Sequence, residues 1–466
     1  MSKLKDFYQR SQWNNVFHFR DDRGSARSYL LFASITQAMV NGLTTGVFYS
    51  GYLGSFGINI VSISILTMVP YIASFLSLLS PVILERFKKR RVILTVSRIA
   101  YFTINILGLT ILPLVVQSQQ GRMIGLVIIV FLPNAINYLF TSGYSAWHMG
   151  YIDPEVRSGY MTATNLVANA ASGLFLLVAG AVTDRLEGQS QQYLLMGLRC
   201  LSFGIAMADV YFLQKPKEPE HRSNATKRVS LASALTVPLG NKRFMLIMSV
   251  SALQGVFGTL INSVVSTWLL EDVKVSYTYI NFINLTYVFF ILPTSALWGK
   301  SIRKRGTLGT LALAQMLMVP SYFLHALMTE SNYLWVMTAV KLIQNSVSLG
   351  TSISVSSLIY IALPEENQTC YLSFYQILGN LSNLLGLSVG TWVVAAMGDT
   401  AITILGFRFT SVPVLFLVQA VLFAGLSFYV RWVGKKVEPN GYELRKHHFH
   451  LNLHLRLNQW NNDRYK

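Results

Sequence analysis

Apolar runs long enough to cross a lipid bilayer recur from one end of the chain to the other. Stretches such as 99-IAYFTINILGLTILPLVV-116 and 410-TSVPVLFLVQAVLFAGLSFYV-430 approach the roughly 20 residues that a helix needs to span about 30 Å of hydrocarbon. Inside lipid every peptide group must find its partner within the protein, so unbroken runs of this length predict helices. A membrane β-barrel would instead show segments of about 10 alternating residues. Composition agrees: 52% of the 466 residues are hydrophobic and only 12% are charged, against about 25% charged in soluble domains.

Twelve spans are expected, near 28–52, 58–82, 92–116, 122–147, 158–182, 191–213, 244–270, 277–299, 307–328, 332–360, 371–396 and 411–432. Pro70, Pro133, Pro293 and Pro413 fall inside them, which membrane helices tolerate when neighbours satisfy the freed carbonyls. Residues 1–27 are polar and lack the pattern of a cleavable export signal. Two cysteines, Cys200 and Cys370, make neither a disulfide framework nor a metal site.

The basic residues provide an independent test of the count. With twelve spans and both termini inside the cell, the clusters at 86–91, 215–228, 300–305 and 431–446 all fall on the cytoplasmic side. Only Arg122, Arg185, Lys274 and Arg408 fall outside, as the retention of basic loops in the cytoplasm requires. A cell-membrane, multi-pass protein follows. The formal charge of +18 reads as a signal of topology and of contact with membrane lipids, not of nucleic-acid binding.

The longest connection, 214–243, is polar and basic and divides the chain into two sets of six spans. The expected organisation is a cytoplasmic segment 1–27, a six-helix bundle 28–213, a linker 214–243, a second six-helix bundle 244–432 and a tail 433–466. Two local echoes support the division. Segment 151–175 resembles 360–386 when Pro154 is aligned with Pro364, and 81-PVILERFKKRR-91 occupies the place of 299-GKSIRKRGT-307. Equivalent loops at equivalent positions suggest parallel repeats side by side.

These loops carry a resemblance to the major facilitator superfamily. In 80-SPVILERFKKRRVIL-94, Glu85 stands for the family's acid, Arg86 for its arginine, and Lys89 and Arg90 for its basic pair, while Pro81 and Lys88 replace glycines. The loop 153-DPEVR-157 is similar to the acidic-Pro-to-Arg element before span five. The resemblance implies a secondary transporter of a small solute working by alternating access. It implies a gating surface at Glu85, Arg86 and Arg90, with Asp153 and Arg157 in the matching loop. It also implies that spans one, four, seven and ten line the central cavity.

On those spans the candidate substrate ligands are Gln37 and Asn41, then Asn134, Asn137 and Tyr138, then Gln254 and Asn262, and last Lys341, Gln344 and Asn345. Residues three or four apart share a helix face, although amides in membrane helices also serve as structural hydrogen bonds. Lys341 stands out, because a cation near mid-bilayer costs about 2.5–3.5 kcal/mol on insertion scales unless it faces water or an anion. No Asp or Glu sits within these cavity spans, so an anionic or polyhydroxylated substrate is favoured over a cation. Asp209 and His148 are candidates for coupling to a co-transported proton or ion, but Asp209 could equally pair with Arg98 or Lys215. Arg199 could balance Asp209 across the bundle, and His325 reads as a packing histidine.

The tail alternates apolar and polar residues over 449-FHLNLHLRLN-458, as an exposed strand would at a hairpin edge, beneath the gate or along anionic lipid; disorder or surface adhesion is expected there ahead of a histidine metal site. No phosphate loop, metalloprotease pattern or nucleophile triad is present. An enzyme, an ATP-driven pump and any cofactor are therefore not expected, and the protein is expected to work as a monomer. Efflux of lipophilic compounds, or a receptor or scaffold on the same framework, are the alternatives.

Overall fold

The computed structural model describes residues 16–80, 90–149, 151–152, 154–217, 236–364, 368–398, 400–404 and 407–437. Helix dominates, as the apolar runs require. In the first half of the chain the helices are α1 (Asp22–Thr44), α2 (Gly46–Gly54), α3 (Ile60–Ser74), α4 (Arg90–Phe102), α5 (Leu109–Val115), α6 (Gln119–Met149), α7 (Pro154–Thr183) and α8 (Gly188–Gln214). In the second half they are α9 (Lys242–Thr259), α10 (Val265–Glu271), α11 (Tyr277–Leu285), α12 (Tyr287–Ala326), α13 (Tyr333–Ala362), α14 (Gln368–Met397) and α15 (Ser411–Val437). A two-stranded antiparallel hairpin, β1 (Ile402–Ile404) with β2 (Phe407–Phe409), precedes α15.

Local chemistry sets the helix starts. Asp21, Asn59, Asn241 and Ser276 each precede a helix, and their side-chain oxygens accept a hydrogen bond from a first-turn N–H, satisfying donors that have no intrahelical partner. Between α4 and α5 the chain forms a π-helical turn over Thr103–Gly108. Within α12, Gly306 adopts φ 74° and ψ 176°, a conformation that only glycine takes readily, so the 40-residue segment turns a corner there.

Nine described segments are long and apolar enough to cross a membrane: 22–54, 60–77, 91–115, 119–140, 160–183, 188–214, 293–326, 370–397 and 411–437. Large apolar side chains stand on their outer surfaces, among them Val178, Leu297, Trp392, Val421 and Phe428. Such a coat is unfavourable in water and natural in lipid. The chain is an all-α polytopic membrane protein.

The two halves meet at one end of the helices, where α7 packs against α11. Phe48 and Tyr277 approach with ring centroids 5.4 Å apart. Ser64 donates to the Ser263 carbonyl at 3.3 Å, and Ser388 reaches the Met68 sulfur at 3.4 Å. Arg27, Arg91, Lys217 and Arg243 lie at the opposite end, where Arg27 donates to the Val16 carbonyl and Arg91 to that of Gln214.

Candidate functional site: cavities between the halves

Two cavities lie at the junction, and another adjoins the first of them within the second half. The first, about 410 Å³, runs from the α1–α2 break at Thr45 and Gly46 to α9–α11, α12 and α13, and its wall includes Asn262, Asn284, Tyr322, His325, Lys341 and Gln344. The second, about 390 Å³, shares Asn284, Tyr322, Lys341 and Gln344 with the first and adds Asn345 and Ser348. The third, about 600 Å³, lies nearer the opposite end, between Ser77 and Tyr138 of the first half and α9, α13 and α14 of the second.

Lys341 enters the two upper cavities from the third turn of α13, half-buried. Among the described residues no carboxylate lines either of them, so the ammonium faces amides, a phenol and an imidazole. His325 is 6% exposed and stacks on Phe416 at 4.4 Å with planes 14° apart. Its Nδ1 has no hydrogen-bond partner among the described residues. Both rings belong to the first cavity's wall.

The ten candidate ligands divide by position. Asn262, Lys341, Gln344 and Asn345 line the two upper cavities, and Tyr138 and Gln254 line the third. Gln37, Asn41, Asn134 and Asn137 line none of the three. Gln37 and Asn41 are exposed on α1. Asn134 is 7% exposed and donates to the Val130 carbonyl of its own helix at 2.8 Å. Gln254 accepts from Gln315 at 2.6 Å, and Asn345 donates to Thr286 Oγ1 at 2.9 Å, so part of their capacity is already engaged.

The charges inside the first half sit elsewhere. Asp209 is fully buried and pairs with Arg98, whose Nε and Nη2 both approach Oδ2 at 2.8 Å. Arg98 also lies over the Phe102 and Tyr144 rings at 5.2 Å. Arg199 is bound separately. It donates to Thr110 Oγ1 at 2.9 Å and lies over the Tyr52 ring at 5.1 Å. Of the two partners open to Asp209 in sequence, Arg98 is the one observed; Lys215 lies over the Tyr211 ring at 4.5 Å. His148 packs beside Tyr144 and Trp147, with Nε2 unpartnered among the described residues.

Among the gating candidates, Glu85, Arg86 and Asp153 lie outside the described residues. Arg90 begins α4 and Arg157 lies in the first turn of α7. The alternating tail 449–458 is likewise outside them.

A family profile described as Major Facilitator Superfamily matches residues 30–387. The chain belongs to the major facilitator superfamily. As a member of this superfamily it is a secondary transporter with an alternating-access fold, and not an enzyme. Solved structures share the architecture at low sequence identity. The nucleoside transporter NupG superposes with a TM-score of 0.61 and 13% identity, covering 88% of this chain and 99% of that one. A bacterial metal transporter gives 0.59 and 13%, covering 88% and 98%. The xylose transporter XylE from E. coli, described as inward open, gives 0.59 and 12%, covering 86% and 95%. No curated protein matches the sequence. Superfamily membership thus rests on the sequence profile, and these structures add the fold alone.

Several residues on the cavity walls are not among the ten candidates. Asn281, Asn284 and Gln419 lie in the first cavity, and Gln376, Asn380 and Asn383 in the third. Their signal is present as amides recurring within apolar runs, but a cavity confined to spans one, four, seven and ten gives no reason to single them out.

Proposed function

We propose that this protein carries a small anionic or polyhydroxylated solute across the cell membrane through the junction between its halves, with Lys341 as the principal substrate ligand. The observation that carries the reading is the position of Lys341. It is a cation part-way along an apolar helix, on the wall shared by two adjoining cavities whose described residues include no carboxylate. A buried ammonium is costly without a counter-charge, and a bound anion or a ring of hydroxyls supplies one. Asn262, Gln344 and Asn345 then orient the solute by hydrogen bonds. Tyr138 and Gln254 meet it in the third cavity.

The proposed framework has twelve spans in two six-helix bundles. The nine apolar segments become twelve if 293–326 is divided at the Gly306 corner and the helical stretches 242–271 and 333–362 also cross. Placing the basic end inside puts both termini in the cytoplasm and makes the α7–α11 junction the outer gate. This conformation is then closed outside, with the 600 Å³ cavity on the inner side. Rocking of one bundle against the other would open the outer end and close the inner one, through the 85–90 loop and the Asp153–Arg157 segment.

The test is uptake by the purified full-length protein in liposomes, using a panel of labelled organic anions, polyols and cations. The reading predicts that an anion or polyol is carried and that Lys341→Gln weakens its half-saturation on the order of tenfold or more. Transport of cations only, or an unchanged substrate profile in Lys341→Gln, would overturn it.

A further inference from the structure

The third cavity has a different chemistry from the two that Lys341 enters. One wall is α14, where Gln376, Asn380 and Asn383 lie at i, i+4 and i+7 on a single face, the spacing that stacks side chains along a helix. None of these three side-chain amides makes a hydrogen bond to another described residue. Facing them across the space are Ser251, Gln254 and Tyr138. Among the described residues no charged side chain lines the cavity. Uncommitted amides in a bilayer-embedded protein are costly unless water or a ligand satisfies them. Three in register, with hydroxyls and another amide opposite, match a solute that presents several hydroxyl groups.

Gly258 of α9 joins this cavity to the first, since it lies on the wall of both. A Cβ added there would meet nothing within 4 Å, so the helix borders open space at that point. Travelling through the junction, a solute would pass from a compartment with one cation to a compartment with none.

We infer that the α14 face bearing Gln376, Asn380 and Asn383 is a second substrate station, which takes the hydroxyl-bearing part of a solute whose single negative charge is held by Lys341. The substrate class is a hydroxylated monocarboxylate. This rests on the reading of Lys341 given above and goes beyond it by naming the class and adding the inner station. One cation and no described carboxylate in the upper cavities match one negative charge. A second charge on the solute would meet no partner in the third.

Binding of three probes to the full-length protein in lipid nanodiscs tests the inference: gluconate has a carboxylate and hydroxyls, hexanoate a carboxylate alone, and sorbitol hydroxyls alone. Gluconate is expected to bind at least about tenfold more tightly than either of the others, the effect of one or two well-placed hydrogen bonds. The double variant Gln376→Leu/Asn380→Leu should lose that advantage and leave hexanoate unchanged, since hexanoate has no hydroxyl for these amides to bind; Gln376 is exposed and Asn380 half-buried. Gluconate affinity unchanged in the double variant, or gluconate binding no tighter than hexanoate, overturns the station. A Lys341→Gln protein that binds gluconate and hexanoate as well as wild type overturns the charge assignment itself, a separate failure. Gly258→Trp, which fills the passage between the two cavities, should abolish gluconate counterflow in liposomes and remove the advantage of gluconate over hexanoate in binding; undiminished counterflow would show that the two cavities are not one route.

Discussion

The Asp184 carboxylate accepts a hydrogen bond from the Tyr277 backbone N–H at 2.8 Å, and its second oxygen accepts one from Thr278 at 2.7 Å. Asp184 follows α7 in the first half, and Tyr277 opens α11 in the second. A side chain of one half therefore caps a helix of the other, where a carboxylate is favoured both by the free N–H groups and by the helix dipole. Gly180, one turn earlier on α7, lets the backbones meet, because a Cβ there would stand 3.0 Å from Tyr277 and Thr278 main-chain atoms.

Removing the cap should loosen this end. Asp184→Ala loses both acceptors, at a cost of about 0.5–2 kcal/mol for a helix cap, charged to the closed form alone. A cysteine at Asn262, inside the first cavity, should then react several-fold faster with an impermeant maleimide added from outside. An unchanged labelling rate would mean that the cap does not hold the gate.

Gly180→Ala should act on the same junction by steric means. The neighbouring atoms are backbone and cannot swing aside, so overpacking of about 1–3 kcal/mol is expected, read as a lower unfolding temperature or as the same faster labelling. Gly197→Ala is the control: its added methyl meets nothing within 4 Å, and helix propensity alone favours the alanine.

The Arg98–Asp209 pair should behave as a buried ion pair. Asp209→Leu alone strands a cation that is 11% exposed, and loss of one partner from such a pair costs about 3–5 kcal/mol. The double replacement Arg98→Met/Asp209→Leu should recover most of this loss. Thermal unfolding of the four proteins gives the coupling; simple additivity of the two single changes would argue against the pairing.

The start of α1 should respond to acid. Asp21 is exposed, and the Gly24 N–H that it accepts holds its carboxyl below the usual carboxylate range. A depressed folded pKa stabilises above the unfolded pKa, and that contribution is lost as pH falls through the folded value. Hydrogen exchange in the first turn of α1 should therefore quicken at acid pH in the wild type, and it should depend less on pH in Asp21→Ser, which retains a capping oxygen without a titrating charge. Equal acid response in both proteins would rule out this role for the carboxylate.

Much of the architecture could be read directly, because lipid permits few solutions for long apolar runs and an isolated Lys341 within one demands an explanation. What could not be read was which amides are committed. Asn134 turns back to its own helix at Val130, whereas Gln376 and Asn380 face open space, and the residue types are the same. Asp184 was invisible for another reason: its partners are backbone N–H groups of a helix 93 residues away, and any sequence at Tyr277 and Thr278 offers those. Arg199 and Asp209, ten residues apart on α8, invited a mutual balance, but Asp209 pairs with Arg98 and Arg199 is held by Thr110 and the Tyr52 ring.

Transport through the junction requires the halves to separate at the Asp184 end and to close again around the cavities. Spin labels on cysteines at the exposed positions Glu187 and Ser331, in a Cys200→Ser/Cys370→Ser background, report that separation in nanodiscs. A dominant short distance is expected for the wild type, with a second, longer one whose share grows in Asp184→Ala. A single distance that the substitution leaves unchanged would refute the outer gate and the rocking motion with it.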